Sequence, residues 1–211
     1  MPVYRFTSKV SLMQQIDLVR HGPVDSPAGL FGHTDIALAE TNPVCLHWLA
    51  EQHYHRVVSS PLQRCHTTAR QQANRLQLAE TTEPLLKEMH FGRWDGMQYS
   101  EQHPDWPALC QFWQNPLQHN PPDGETLQEF IQRVQQGFEL QSQWQQGRQL
   151  WLVHGGVIRV ILAAILAIPQ QHLPWWQQLS VGYGSVSRIR RLTPDSPWQL
   201  LCMAAPLPPS D

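Results

Sequence analysis

The chain has 211 residues, of which 15 are lysine or arginine and 17 are aspartate or glutamate, so its formal net charge is −2. This length suits one α/β domain with a substantial core, and the near-neutral charge excludes the broad basic field of a nucleic-acid-binding protein. The four cysteines form no Cys-x-x-Cys pair, and neither a signal-peptide pattern nor an apolar stretch long enough to cross a bilayer is present, which predicts a cytoplasmic protein without a membrane partner.

The first informative motif follows a short apolar run. We expect residues 1–12 to be an extension without a catalytic role, and residues 16–19 to form a buried strand that ends in Arg20, His21 and Gly22. In open α/β sheets, sites form at the carboxyl ends of strands. A histidine there, beside a permanent cation and a residue without Cβ, suits a nucleophile that attacks an anion. The alternative is a core histidine next to a surface arginine.

A second strand and helix follow in the first half of the chain. Residues 41–52 predict a helix, and the apolar pair at 57–58 predicts a strand. Ser60 then reads as the N-cap and Pro61 as the first residue of a helix that runs to Leu76. Arg64 would lie in its first turn, where a cation does not favour the helix dipole but does suit anion binding. A solvated surface arginine is the alternative.

The middle of the chain contains two further elements. The segment from about residue 97 to 123 is rich in tryptophan and proline and interrupts the strand–helix alternation, which predicts a cap over the strand ends. We expect its tryptophans to pack within that subdomain. Thr126 and Glu129 then form a predicted capping box that opens a long amphipathic helix.

The second half repeats the first motif. Residues 150–153 predict a strand that delivers His154, Gly155 and Gly156 to a loop, followed by a helix over residues 157–168. Two strands that each deliver a His-Gly pair to a loop are much less probable by chance than one.

Two late strands complete the pattern, over residues 185–192 and 198–203. The alternation predicts a three-layer α/β/α fold, with a mostly parallel sheet, helices on both faces and a small helical cap. We expect one domain over residues 13–203, with the cap inserted at about 97–123, and a loose tail at 204–211.

Four motifs resemble those of the histidine phosphatase superfamily, the phosphoglycerate mutase-like proteins. They occur in the family's order and spacing, at residues 18–22, 59–64, 88–96 and 153–156. The third is similar to the family's acid-bearing stretch, in which a glutamate precedes a Phe-Gly-x-Trp-(Glu/Asp)-Gly run. The resemblance covers most of the chain and implies the family's phosphoglycerate mutase-like α/β fold.

The resemblance also implies roles for individual residues. His21 would attack phosphorus and become phosphohistidine, which water then hydrolyses. Glu88 would protonate the leaving alkoxide and then deprotonate the water. No cofactor or metal is implied. The remaining residues that the resemblance assigns to catalysis or substrate binding are Arg20, Arg64, His154, Gly32 and Gly155.

Two further stretches resemble the α-ribazole phosphatases within this superfamily. Residues 29–38 are similar to their substrate-side loop, and residues 121–126 are similar to the Pro-Pro-Gly-Gly-Glu-Ser run of their cap. Asp123 replaces the first glycine of that run, and Pro23-Val24 stands where many relatives have Glu-Thr. The implied reaction removes the 5′-phosphate of α-ribazole phosphate, late in cobalamin nucleotide-loop assembly.

Several alternatives stay open from the sequence. The chain could be a general or sugar-phosphate phosphatase, or a phosphoglycerate mutase, although such mutases generally carry a longer cap. A non-catalytic binding protein would usually lose a nucleophile or an arginine that is present here. A metal-dependent phosphoesterase could use His53 and His55, which lie away from any carboxylate cluster. If Glu88 is not the acid, Asp95 and Glu125 are the next candidates; the oligomeric state is left open.

Overall fold

The computed structural model describes residues 13–39, 49, 51–169 and 174–207. The predicted helix over residues 41–52 lies almost wholly outside these ranges, as do residues 1–12 and 208–211. The strands of the described part are β1 (Gln14–Arg20), β2 (Tyr54–Ser59), β3 (Glu80–Thr82), β4 (Gly147–Val153), β5 (Ser185–Arg191) and β6 (Gln199–Pro206). The helices are α1 (Gln63–Leu76), α2 (Trp106–Gln114), α3 (Leu127–Gln141), α4 (Gly155–Ile165) and α5 (Pro174–Gln178), and single 3₁₀ turns lie at Pro84–Leu86 and Gly92–Trp94.

The six strands form one sheet in the order β3-β2-β4-β1-β5-β6. The first four are parallel, and β5 and β6 run antiparallel to their neighbours. The register pairs Arg20 with Val153 across β1 and β4, and Ser59 with Leu152 across β2 and β4. Because three parallel strands end within one residue of each other, the residues that follow them meet at one edge of the sheet.

Both faces of the sheet are covered, as the alternation predicted. Ile16 and Leu18 point to a core cluster shared with α3 and α4, whereas Val19 lies in a second cluster with α1. This period-two alternation along a strand that is buried on both sides is the pattern of a central strand in a layered α/β fold. The three-layer α/β/α architecture is therefore confirmed.

Some element bounds differ from the prediction. Helix α1 begins at Gln63, with Leu62 as its N-cap, so Ser60 and Pro61 precede the helix. The Ser60 hydroxyl lies 2.8 Å from His154 Nε2 and accepts from the Leu62 N–H at 3.3 Å, just before the helix begins. Helix α4 begins at Gly155, directly after β4, where a loop was expected, and ends at Ile165. Strand β6 extends to Pro206, so the start of the predicted tail belongs to the sheet.

Two further elements agree with the prediction, and one strand was not predicted. Thr126 and Glu129 form the predicted capping box of α3, and the cap region contains helix α2. The short edge strand β3 was not predicted, because its three residues are polar and flanked by a proline turn. Within the described ranges, no helix is both long enough and apolar enough to span a membrane.

Candidate active site

The site forms where β1, β2 and β4 end. The His21 backbone N–H donates to the Val153 carbonyl at 3.1 Å, and the Ser60 N–H donates to the Leu152 carbonyl at 3.1 Å. These bonds continue the sheet by one residue and place His21, Ser60 and His154 side by side. The structure thus brings together the two histidines that the sequence singled out.

The two histidines are buried and face each other edge to face, with 5.2 Å between ring centroids. His21 Nδ1 lies 2.6 Å from the Gly22 carbonyl oxygen, and His154 Nε2 lies 2.8 Å from the Ser60 hydroxyl. Burial, and then the positive charge of Arg64, lower the pKa of both histidines well below 6.5. Both rings are therefore neutral at neutral pH.

The two predicted arginines approach His21 from different elements. Arg20 donates to the Val181 carbonyl at 2.5 Å and stacks on the Tyr183 ring, 3.8 Å from its centroid. Arg64 is fully buried, and both of its terminal nitrogens donate to loop carbonyls at 2.7 to 2.9 Å. The Nε atoms of both arginines are buried and have no hydrogen-bond partner. Arg64 is thus held through both terminal nitrogens and Arg20 through one, and the Nε–H of each has no partner.

The loop that holds Arg64 spans residues 31–34. Its carbonyls face Arg64, and its N–H groups donate to Asp95 at 2.7 to 3.2 Å. Burial raises the pKa of Asp95, but the Thr34 hydroxyl and the N–H groups of His33, Thr34 and Phe91 outweigh it and hold the pKa below its usual value. A Cβ on Gly32 would lie 1.9 Å from the Met89 carbonyl oxygen, so only glycine fits there. Gly32 was expected to bind substrate; it does not line the cavity, and its carbonyl accepts from Arg64 at 2.7 Å.

Glu88 reaches the same edge from the segment after the first 3₁₀ turn. Its carboxylate accepts from the Gly156 N–H at 3.0 Å and from the Met89 N–H at 3.1 Å. A Cβ at position 156 would lie 2.2 Å from Glu88 Oε1, so the glycine at the start of α4 makes room for the carboxylate. Asp95 and Glu125, the other candidate acids, are engaged in hydrogen bonds and do not line the cavity.

A cavity of about 440 Å³ opens over these groups. Arg20, His21, Arg64, Glu88 and Gly155 line its floor, whereas His154 is fully buried behind His21 and does not line it. Six aromatic residues also line the cavity: Phe31, Phe91, Tyr99, Trp113, Trp176 and Tyr183.

Arg159 is a cavity residue that the sequence analysis did not identify. Its Nε donates to the Leu179 carbonyl at 2.7 Å and its guanidinium lies 5.6 Å from the centre of the Trp176 ring, while its terminal nitrogens make no hydrogen bond within the described ranges. Burial lowers its pKa from the ordinary value. Its spacing from Gly155 and Gly156, three to four residues along α4, places it on the same helix face and could have identified it.

The tryptophans of the cap differ in role. Trp94 is fully buried and donates to Asp105 at 3.2 Å, and Trp106 packs against the core, as expected. Trp113 also packs on Phe112 but faces the cavity. Among the described residues, no group of three or more histidine, cysteine or acidic side chains could hold a metal ion.

Comparison with known proteins agrees with this geometry. Residues 16–204 match the family model of the histidine phosphatase superfamily (branch 1). The chain is 32% identical over 183 residues to the adenosylcobalamin/alpha-ribazole phosphatase of Salmonella typhimurium strain LT2, covering 82% of this chain and 89% of that relative.

Solved structures share the fold. A mycobacterial glucosyl-3-phosphoglycerate phosphatase superposes with a TM-score of 0.75 at 23% identity, covering 92% of this chain and 99% of that one. The alpha-ribazole phosphatase from Shigella flexneri gives a TM-score of 0.73 at 24% identity, covering 93% and 100%. At these identities the two structures bear on the fold alone.

Proposed function

The chain belongs to the histidine phosphatase superfamily and is a phosphatase, and we propose that it hydrolyses α-ribazole 5′-phosphate through a phosphohistidine formed on His21. One observation carries the catalytic part of this proposal. Two buried guanidinium Nε–H groups, on Arg20 and Arg64, have no partner beside a neutral histidine. A buried donor without a partner costs stability, and a phosphate group would supply the acceptors.

His21 is prepared to attack with its Nε2. Because Nδ1 faces the Gly22 carbonyl at 2.6 Å, the ring proton belongs on Nδ1, which leaves the Nε2 lone pair free. The lowered pKa keeps that lone pair unprotonated at neutral pH. The attack forms the P–N bond as the P–O bond to the alcohol breaks.

The positive charges then stabilise the transferring group. Arg20 and Arg64 would donate their free Nε–H groups to phosphoryl oxygens, and the N-terminal end of α4 adds a partial positive charge at Gly155. His154 supports His21 from behind, through the ring contact. A direct bond from His154 to phosphate remains a prediction.

Glu88 supplies and removes the proton. In the first step it gives a proton to the departing alcohol oxygen. In the second, its carboxylate takes a proton from water, the water oxygen attacks phosphorus, and the P–N bond breaks to return neutral His21. The position of Glu88 in the cavity wall supports this assignment, and two backbone N–H bonds fix the orientation of its carboxylate.

Two observations favour α-ribazole 5′-phosphate as substrate. The relative that is 32% identical is named for that activity, and the cavity is lined by aromatic rings on which a flat base could stack. A second candidate is an ester whose alcohol carries a carboxylate, as in glucosyl-3-phosphoglycerate. The free terminal nitrogens of Arg159 favour that alternative, because a guanidinium binds carboxylate with two parallel bonds.

A substrate panel tests the proposal. We would measure phosphate release from α-ribazole 5′-phosphate, ribose 5-phosphate, glucosyl-3-phosphoglycerate and 3-phosphoglycerate, with His21→Ala as the background control. We expect the highest kcat/KM for α-ribazole 5′-phosphate, and unchanged rates in excess EDTA. A preference for the carboxylate ester would select the second candidate. Interconversion of phosphoglycerates without phosphate release would indicate a mutase and contradict the proposal.

A further inference from the structure

We infer that Arg133 and Glu125 form a clamp that positions Glu88 for proton transfer to the leaving group. Neither residue touches the cavity, so both would act through the backbone of the segment that carries the acid. The inference rests on the acid role proposed for Glu88. It assigns a positioning function to Glu125, which the sequence analysis considered as part of the cap motif and as an alternative acid.

Arg133, on α3, holds the segment that leads into Glu88. One terminal nitrogen donates to the carbonyls of Leu85 and Lys87, at 2.8 and 3.0 Å, and the other donates to the carbonyl of Glu88 itself at 3.2 Å. This segment has no strand or helix beyond one 3₁₀ turn. A single side chain therefore supplies three of its carbonyls with donors that regular secondary structure would otherwise provide.

Glu125 holds the same segment just beyond Glu88. Its carboxylate accepts from the His90 N–H at 2.7 Å, and its own N–H donates to the His90 carbonyl at 3.0 Å. The carboxylate also pairs with Arg133 through two bonds, at 2.6 and 3.2 Å. The side chains are only 15% and 20% exposed, so salt screens this pair less than a surface pair. The acid is thus held on both sides.

Close contacts on both sides restrict the position of the Glu88 carboxylate. It lies against Gly156 so closely that one added carbon would come within 2.2 Å of Oε1. On the other side, Met89 is fully buried in the core. A shift of the backbone by a few tenths of an ångström would change the distance between Glu88 and a leaving oxygen, to which proton transfer is sensitive.

The competing explanation is that the pair only stabilises the fold. The two explanations differ in their dependence on the leaving group. An alkoxide needs a proton in the transition state, whereas p-nitrophenolate leaves without one. A misplaced acid therefore slows phosphoryl transfer from an alkyl ester more than from an aryl ester, while a purely structural defect affects both equally.

The test measures single-turnover phosphorylation of Arg133→Gln, Arg133→Lys and Glu125→Gln with ethyl phosphate and with p-nitrophenyl phosphate. Glu88→Gln defines the response to loss of the acid. Arg191→Gln is the matched control, because Arg191 also bonds two carbonyls and one side chain, but beside Gln14 at the opposite end of β1. Urea unfolding of each variant separates stability from rate.

We expect Arg133→Gln to lower the ethyl/nitrophenyl rate ratio by about 10-fold, and Arg133→Lys, which keeps the charge but not the fork, to lower it less. Glu125→Gln should lower the ratio less than Arg133→Gln, since Arg133 keeps its three carbonyls. Arg191→Gln should leave the ratio unchanged.

Two results would overturn the inference, and they can be told apart. If Glu88→Gln lowers the ratio but the Arg133 and Glu125 variants slow both esters equally, the clamp only stabilises the fold. If Glu88→Gln itself leaves the ratio unchanged, the acid role is wrong and the inference fails with it. Should Arg133→Gln not fold, the Lys and Glu125→Gln variants decide between the same outcomes.

Discussion

Two groups of arginines surround opposite parts of β1, and they differ in how their charge is met. In the strand interior, fully buried Asp17 accepts from Arg148 at 2.6 Å, from Arg188 at 2.8 Å and from the Tyr54 hydroxyl at 2.8 Å. At the strand end, Arg20 and Arg64 form no ion pair with a carboxylate of the described residues, and each has an unpartnered Nε–H. The arginines of the first group share a carboxylate within the protein, whereas those of the second have no carboxylate partner among the described residues.

This contrast separates structural from functional charge. Burial alone would not do so, because Asp17 and Arg64 are equally inaccessible to solvent. What differs is whether the partners lie within the protein. Unsatisfied donors are rare in native structures because they cost stability, so a cluster of them in a cavity indicates a ligand site. Changes in the first group should affect stability, and changes in the second should affect activity.

The largest effect is expected at the nucleophile. Replacing His21 by alanine removes the only group proposed to bond phosphorus, so turnover should fall by at least about 10³-fold, while the unfolding midpoint stays close to that of the wild type because the side chain lines a cavity. Rapid quench with labelled substrate should trap an acid-labile, base-stable adduct on His21 of the wild type. An adduct on His154 would reverse the assignment of the two rings.

In contrast to His21→Ala, Asp17→Asn should lower stability and leave turnover nearly unchanged. The substitution removes the shared carboxylate of two arginines, and breaking a buried ion pair in this way costs about 3 kcal/mol of unfolding free energy. The kcat of the folded enzyme should stay within about 2-fold of the wild type. Urea unfolding with parallel kinetics checks both. Tyr54→Phe, which removes one hydrogen bond, should cost about 1 kcal/mol and is the milder control. A large loss of kcat in folded Asp17→Asn would remove the distinction between the groups.

Acid pH should destabilise the active-site end of the molecule. Burial lowers the pKa of His21 and His154 well below 6.5, and burial together with the charge of His90 lowers that of His33 to about 4. Below pH 6.5 the unfolded chain binds protons that the folded chain does not, so stability falls as pH falls. Each histidine contributes up to about 1.4 kcal/mol per pH unit.

Urea unfolding between pH 7.5 and 5.5 measures this slope. His33→Gln, outside the catalytic machinery, should reduce the slope by about one histidine's share. Added phosphate should raise stability, because it supplies the anion that the cavity lacks. A slope unchanged by His33→Gln would mean that this ring titrates normally in the folded protein.

Replacing Arg64 by lysine should lower activity although the positive charge is kept. Lysine cannot bond the three loop carbonyls and present an Nε–H donor at once, so kcat/KM should fall about 10-fold or more, which corresponds to about 1.4 kcal/mol. Arg70→Lys, an exposed position on α1, is the matched control and should have wild-type kinetics. Wild-type kinetics in Arg64→Lys would place the phosphate contact elsewhere.

The smallest effect concerns the cap. Asp123 has a φ of 58°, in the left-handed region that favours glycine, which explains why relatives carry glycine there. Asp123→Gly relieves that strain but loses an ion pair with Arg93 whose side chains are 70% and 80% exposed. The net change in stability should lie within about 1 kcal/mol, without loss of activity. Gln77→Gly, at a φ of 56° after α1, is a strain-only control. A marked loss of activity in Asp123→Gly would show that the cap loop contacts substrate.

Much of the site could be predicted because its residues follow strands directly. The runs before His21 and His154 are apolar and short, so each histidine is placed at a strand end by local pattern, and parallel pairing brings the two ends together. Arg64 was placed correctly in the first turn of α1, although that helix begins two residues later than predicted. The Ser60 hydroxyl accepts from the Leu62 N–H ahead of that helix and also bonds His154 across the sheet edge.

Other features depend on contacts between distant segments. Gly32 was expected to bind substrate, but its place is set by Met89 and by the bond of its carbonyl to Arg64. Arg133 lies 45 residues from Glu88 in sequence, and its bonds to that segment exist only once α3 packs against it. No local spacing identifies such a partner.

The sequence by itself determined the alternation of strands and helices, the strand-end positions of the two histidines and the capping box of α3, because these follow from side-chain period and local hydrogen bonding. The tertiary structure alone decided which donors remain free. Three arginines each donate some of their N–H groups to carbonyls of distant residues, while their other N–H groups make no such bond. They are Arg20, Arg64 and Arg159. That division depends on the distance and direction of groups that only folding brings together, and it is the basis of the proposed anion site.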